Sequence, residues 1–294
     1  MNPRLLAPLI AVSLIGTWPA TASAGSASDL FYERSLMSAA GARCKLFDPS
    51  IASALAASGR QARGAALRAG ADPDALDALE SRAQDRAGTV ACNSADMATV
   101  AKRVRTAFAG YATMNSMSFP GGLASWRANR GQTNGAGAAW RLSQTARTGA
   151  GVAMFGVAYT DDGMETLTAV AAWPAALGAS GARLVMRDPT RAARAYLDPR
   201  RNDLSAQLPP RPMTRTFLAS AKDLAAPGLL PTGAATGAAF RFTTAAGAAL
   251  QRLDPREAIV LELVYPTRTG ERVEAIPLEV GDFAAGIAFL SAKR

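Results

Sequence analysis

The chain offers two cysteines, no histidine and a modest set of carboxylates as its reactive side chains, and their spacing limits the chemistry open to them. Without histidine there is no Ser-His-Asp triad, no Cys-His pair and no histidine-ligated zinc or haem site. The side chain that most often shuttles protons near neutrality is missing as well. Ser-Lys chemistry or a carboxylate pair remains. No S-x-x-K occurs, Ser180 in GASGA does not fit G-x-S-x-G, and Ser220 and Lys222 are too near in sequence to face one another on a helix. Asp161-Asp162 with Glu165 invites a calcium or glycosidase reading, but a turn accounts for Asp-Asp-Gly and no full D-x-D-x-D-G loop is present. Glu262, Glu274 and Glu279 are expected to point outward from a final hairpin toward partners such as Arg272. Met97, Met114 and Met117 raise soft-metal binding, with core filling as the simpler account. Trp126, Trp140 and Trp173 raise a sugar-stacking face, again against core packing. The expectation is no catalytic residue, no metal and no cofactor.

The cysteines stand 48 residues apart, Cys44 in GARCKLFDPS and Cys92 in TVACNSADM. The tight C-x-x-C spacing of a redox dithiol is absent, so a structural disulfide is expected. The elements around them explain how the two thiols meet. Asp29 is read as the cap of a first helix, with Leu30, Met37, Ala40 and Cys44 along one stripe. Asp48-Pro49 and Asp72-Pro73 each join a capping side chain to a proline at the first helical position. Ser94 caps a fourth helix, where Met97, Val100, Val104, Phe108 and Tyr111 follow the 3.6-residue period. Short connections favour antiparallel neighbours. An up-down bundle over 25–117 then brings the end of the first helix beside the start of the fourth.

A glycine-rich stretch, 118–137, reads as a linker. From 138 to 294 the pattern changes to strands. GVAMFGVAY and ETLTAVAAW flank the turn at 160–163, and AIVLELVY and RVEAIPLEV form the clearest hairpin, with Pro277 suited to an edge strand. DFAAGIAFLSAKR reads as a closing helix capped by Asp282. The fold class is therefore α+β: an N-terminal up-down helical bundle followed by a β-rich, sandwich-like domain. The order WRLSQ, a hairpin, the step through LGASGARLVMRD, and the closing IPLEVGDFAAGIAFL resembles the invasion-associated locus B proteins over residues 139–290. That resemblance implies an exported bacterial β-domain with an envelope accessory or interaction role, and it brings no catalytic residues.

The first 24 residues carry Arg4, an apolar run from Leu5 to about Trp18, and the small triplet Ala22-Ser23-Ala24, the pattern of a secretory signal peptide cleaved after Ala24. A periplasmic or secreted location is expected, with a soluble mature chain. The formal charge is +9 from 32 basic and 23 acidic residues. The excess is +4 in 25–134 and +4 in 135–294, so neither part is a dedicated nucleic-acid binder. Charge is densest in 183–215. There Arg191, Arg194, Arg200 and Arg201 suggest docking to an envelope protein, an anionic lipid or a cell-wall polymer. The reading is a non-catalytic periplasmic envelope protein with a binding or assembly role. The alternative is a histidine-free, carboxylate-based hydrolase acting on envelope polymers.

Overall fold

The computed structural model describes residues 24–291, apart from 112, 132–136, 161–162 and 198–202. Four helices come first: α1 (Ala24–Cys44), α2 (Pro49–Arg68), α3 (Pro73–Thr89) and α4 (Ala95–Phe108). Three of them begin where local capping chemistry requires. Asp48 Oδ1 accepts from Ile51 N at 2.9 Å, Asp72 Oδ1 from Ala75 N at 3.0 Å, and Ser94 Oγ from Met97 N at 3.2 Å. The first helix differs from expectation. Asp29 lies inside it, because Ala27 and Phe31 are buried against Ala62, Ala66, Leu67 and Leu76, which extends the helix back to Ala24. Phe31 takes the inward position expected of Leu30, which is exposed.

Cys44 closes α1, Cys92 stands three residues before α4, and the two are joined in a disulfide with their Cα atoms 5.4 Å apart. Met37, Ala40, Leu55, Ala87 and Met97 pack around this end of the bundle, with Val100, Val104 and Phe108 partly buried beside them. Alanine supplies much of that core, and burial is worth only about 0.8 kcal/mol per CH₂. The cross-link matters for that reason.

Eleven strands follow among the described residues. β1 (Ser116–Pro120), β2 (Ser125–Asn129), β3 (Ala139–Arg147), β4 (Val152–Tyr159) and β5 (Glu165–Ala172) form an antiparallel meander. β9 (Ala238–Phe242) and β8 (Ala221–Leu224) complete this sheet of seven. The second sheet has the order β11 (Gly270–Glu279), β10 (Ala258–Thr267), β6 (Gly181–Arg187) and β7 (Thr214–Leu218). Pro277 lies on the edge strand β11, as expected.

Residues 118–137, expected as a linker, hold most of β1 and all of β2. The reason is burial. Phe119 and Trp126 are paired in register across the hairpin and both enter the core. The two sheets share that core. Phe155, Leu167, Ala169 and Phe240 from the first meet Leu184, Ile259, Leu261 and Ile276 from the second. Ala54 and Ala57 of α2 belong to the same cluster, as do Phe283, Ala285 and Phe289 of the last helix, α6 (Phe283–Ser291). That helix lies between α2 and strands β1 to β3 and carries the helical part onto the sheet. A short helix, α5 (Thr244–Leu250), buries Ala246, Ala249 and Leu250.

A chain closed over 48 residues loses about 4 kcal/mol of stabilisation when its cross-link is cut, on the loop-entropy model. Thiol titration of the denatured, unreduced protein is expected to find no free thiol, and prior reduction to lower the urea midpoint. Two titratable thiols without reductant would contradict the bridge.

Candidate functional site

The candidate site is built around the corner Glu279-Val280-Gly281-Asp282, where β11 turns into α6. Glu279 was expected to face solvent. It is 2% exposed, and its carboxylate accepts from three successive backbone amides of the β1–β2 turn: Gly122 at 2.5 Å, Leu123 at 2.7 Å and Ala124 at 2.6 Å. Its own backbone exchanges two bonds with the Gln144 amide, at 3.1 and 3.0 Å. Val280 O accepts from Trp126 Nε1 at 2.9 Å. Gly281 adopts φ 48°, and a Cβ there would sit 3.1 Å from the same indole nitrogen. Only glycine satisfies both demands at low cost.

Asp282, expected to cap α6, instead turns its carboxylate to α2. Arg68 donates to it through both terminal nitrogens, at 2.8 and 2.9 Å. Burial pushes the Asp282 carboxyl above its ordinary range, and the neighbouring Glu279 charge adds to this, while Arg68 opposes it. Gly64 makes the pairing possible, because a Cβ at that position would overlap Asp282 Oδ1.

Beside this bridge lies a cleft of about 850 Å³, walled on one side by α2 and the start of α3 and on the other by the 248–256 segment, the 279–282 corner and residues 193–197. Guanidinium groups cross between the walls. Arg60 Nη1 reaches Ala284 O at 3.3 Å, and Arg256 Nη1 reaches Leu67 O at 3.3 Å while its other nitrogens hold Asp254. The floor includes Arg187, buried in a bidentate pair with Glu257 at 2.7 Å in both arms. Arg187 also donates to the carbonyls of Ala192 and Ala193, which roots the basic segment at the cleft mouth.

That segment is less bare than its local charge count implies. Arg183 pairs with Glu271, Arg187 with Glu257, Arg191 with Asp188, Arg194 with Asp74 and Arg211 with Glu262. Arg215 lies 5.0 Å from the centroid of the Phe217 ring. Four of these five carboxylates come from distant elements, so a window of sequence could not reveal them. Of the docking residues proposed from sequence, Arg191 and Arg194 are exposed, and Arg194 stands on the cleft wall. Arg200 and Arg201 lie outside the described residues. The 3-10 turn Leu204–Gln207 packs on β10 and β11, so part of this segment covers the outer face of the second sheet.

The remaining sequence candidates are accounted for locally. Glu262 was expected to face outward and is buried at 2% exposure beneath Arg211, while Glu274 accepts from Tyr265 Oη at 3.1 Å. Arg272 stacks on Tyr265 at 4.0 Å instead of pairing with these carboxylates. Glu165 pairs with Arg141 at 2.9 Å, and Asp161 and Asp162 lie outside the described residues. Ser220 and Lys222 bond separately to the carbonyls of Arg241 and Leu177. Trp126 and Trp173 are core residues, and Trp140 donates to Leu229 O at 3.0 Å. Met97 and Met117 belong to different clusters, and Met114 is exposed. Among the described residues, no three His, Cys, Asp or Glu side chains are grouped to hold a metal, and no helix is long and apolar enough to cross a membrane. No family model, curated protein or solved structure matches the chain.

A carboxyl whose folded pKa is raised binds its proton more readily folded than unfolded, so its contribution to stability falls as pH rises from the ordinary value of 3.8 through the raised one. Asp282→Asn removes that component. The urea midpoint of the wild type should drop relative to the variant's as pH climbs across this window, and parallel midpoints would contradict the assignment.

Proposed function

We propose that this chain is an exported periplasmic envelope protein with a non-catalytic binding or assembly role, and that it docks its partner along the cleft and the adjoining basic segment. One observation carries the reading. The buried carboxylates among the described residues are each engaged in holding the fold: Glu257 by Arg187, Glu279 by three amides, Glu262 by Arg211 and Asp282 by Arg68. A general acid or nucleophile needs a carboxyl that can reach a substrate. Asp282 has the raised pKa of a candidate acid, but both of its oxygens are taken up by one guanidinium, which weighs against the hydrolase reading.

The surface around the cleft has the opposite character. Arg194–Asp74 and Arg63–Asp77 are exposed pairs, of a kind worth about 0–1 kcal/mol, so a charged partner can exchange with them. The signal-like segment 1–24 and the Cys44–Cys92 bridge both support an oxidising compartment outside the cytoplasm. The resemblance of 139–290 to the invasion-associated locus B proteins agrees with an envelope role.

Fractionation of cells expressing the full chain, followed by N-terminal sequencing, is expected to find it periplasmic and beginning at Gly25. The mature protein should then be retained by its own envelope material at low salt and released at high salt, and reversing the charge of Arg191, Arg194, Arg200 and Arg201 should weaken that retention. A cytoplasmic, unprocessed chain would overturn the localisation, and retention unchanged by the reversals would remove the basic segment from the docking surface.

A further inference from the structure

The lining of the cleft narrows the chemistry of what it holds, granted the binding reading above. Its two walls carry cations that no carboxylate neutralises among the described residues. Arg60 on α2 is exposed and bonded only to a carbonyl, and Arg252, just beyond α5, is exposed with no side-chain bond. Arg63 and Arg194 line the same space in surface pairs that a stronger anion can displace. Guanidinium groups match phosphate oxygens with paired donors, which makes phosphate their favoured exposed ligand.

A bare phosphate nevertheless fits the cleft poorly. Asp72, Asp74 and Asp77 line it at the start of α3, and these carboxylate acceptors find no donor on a phosphate dianion. Asp72 uses only Oδ1 in capping, which leaves a second oxygen ready to accept from a hydroxyl. Pro73, Leu197, Ala248 and Pro255, none of them buried, supply apolar surface for carbon-bound faces, and a volume of about 850 Å³ suits a body larger than one ion. We propose that the cleft binds the phosphate ester of a polyol, its phosphate held between Arg60 and Arg252 and its hydroxyls turned to the carboxylates of α3. A soluble sugar phosphate, a wall-polymer unit and a phosphatidylglycerol headgroup share this chemistry.

Isothermal titration of the mature protein with glucose 6-phosphate tests it, against inorganic phosphate and glucose. The ester is expected to bind at least about tenfold more tightly than inorganic phosphate, with glucose alone giving no signal. The double variant Arg60→Ala, Arg252→Ala should lose at least about tenfold in affinity for the ester at an unchanged urea midpoint. Flotation with phosphatidylglycerol vesicles, competed by glucose 6-phosphate, separates the sources: co-flotation supports a lipid headgroup, and ester binding without it supports a soluble or polymeric one. The proposal is overturned if neither the ester nor the vesicles bind, or if the double variant binds as well as the wild type. Should envelope retention persist while both probes fail, this inference falls and the binding reading stands. Loss of both would remove the binding reading too.

Discussion

Four consecutive residues, Glu279 to Asp282, tie the strand-rich and helical parts of this protein together. Glu279 gathers the β1–β2 turn by its amides, Val280 holds the Trp126 indole, Gly281 makes room for that indole, and Asp282 reaches across to α2. Each bond joins residues more than 130 positions apart or draws on one that does, so the corner forms only when both parts are in place. A buried carboxylate left without these partners would cost several kcal/mol, which makes the corner unforgiving. A second tie lies at the opposite end of α6. Arg130 donates to the carbonyls of Phe289 and Tyr111 at 2.7 and 2.9 Å, with its guanidinium 3.6 Å from the centroid of the Phe289 ring. Burial there pushes the Tyr111 hydroxyl up to about 12.

Arginine therefore does two jobs in this chain. Inside, Arg187, Arg130 and Arg68 use their several donors to satisfy carboxylates and carbonyls that alanine-rich packing cannot reach. Outside, around the cleft, arginines stand in loose pairs or alone. The interior set builds the walls, and the exterior set gives them a charge pattern. Because Asp282 is both half of a structural tie to Arg68 and part of the cleft lining, the cleft is bonded into the fold at its base and carries exchangeable surface pairs at its rim.

Much of this was legible in the residues. Asp48, Asp72 and Ser94 announced their helices because capping is a contact over three residues. The cysteine pairing followed from chain reversal alone. The late hairpin stood out through its alternation. What could not be read depends on distant partners. Phe119 and Trp126 sit in five-residue strands on either side of a Gly121-Gly122 turn, too short for a period to show. Glu262 and Glu279 look like surface residues until Arg211 and the 122–124 amides are brought to them. Asp282 carries an ordinary capping pattern, and nothing local announces that Arg68 will claim it. The cleft was invisible for the same reason, since its walls are more than 100 residues apart.

The central claim is that the 279–282 corner makes the helical and strand-rich parts one cooperative unit. It is tested most directly by following urea unfolding of the protein simultaneously by tryptophan fluorescence, whose reporters among the described residues, Trp126, Trp140 and Trp173, all lie in the strand-rich part, and by the far-ultraviolet helix signal. The account predicts a single coincident transition. Loss of the helix signal at a lower urea concentration than the fluorescence change would contradict it.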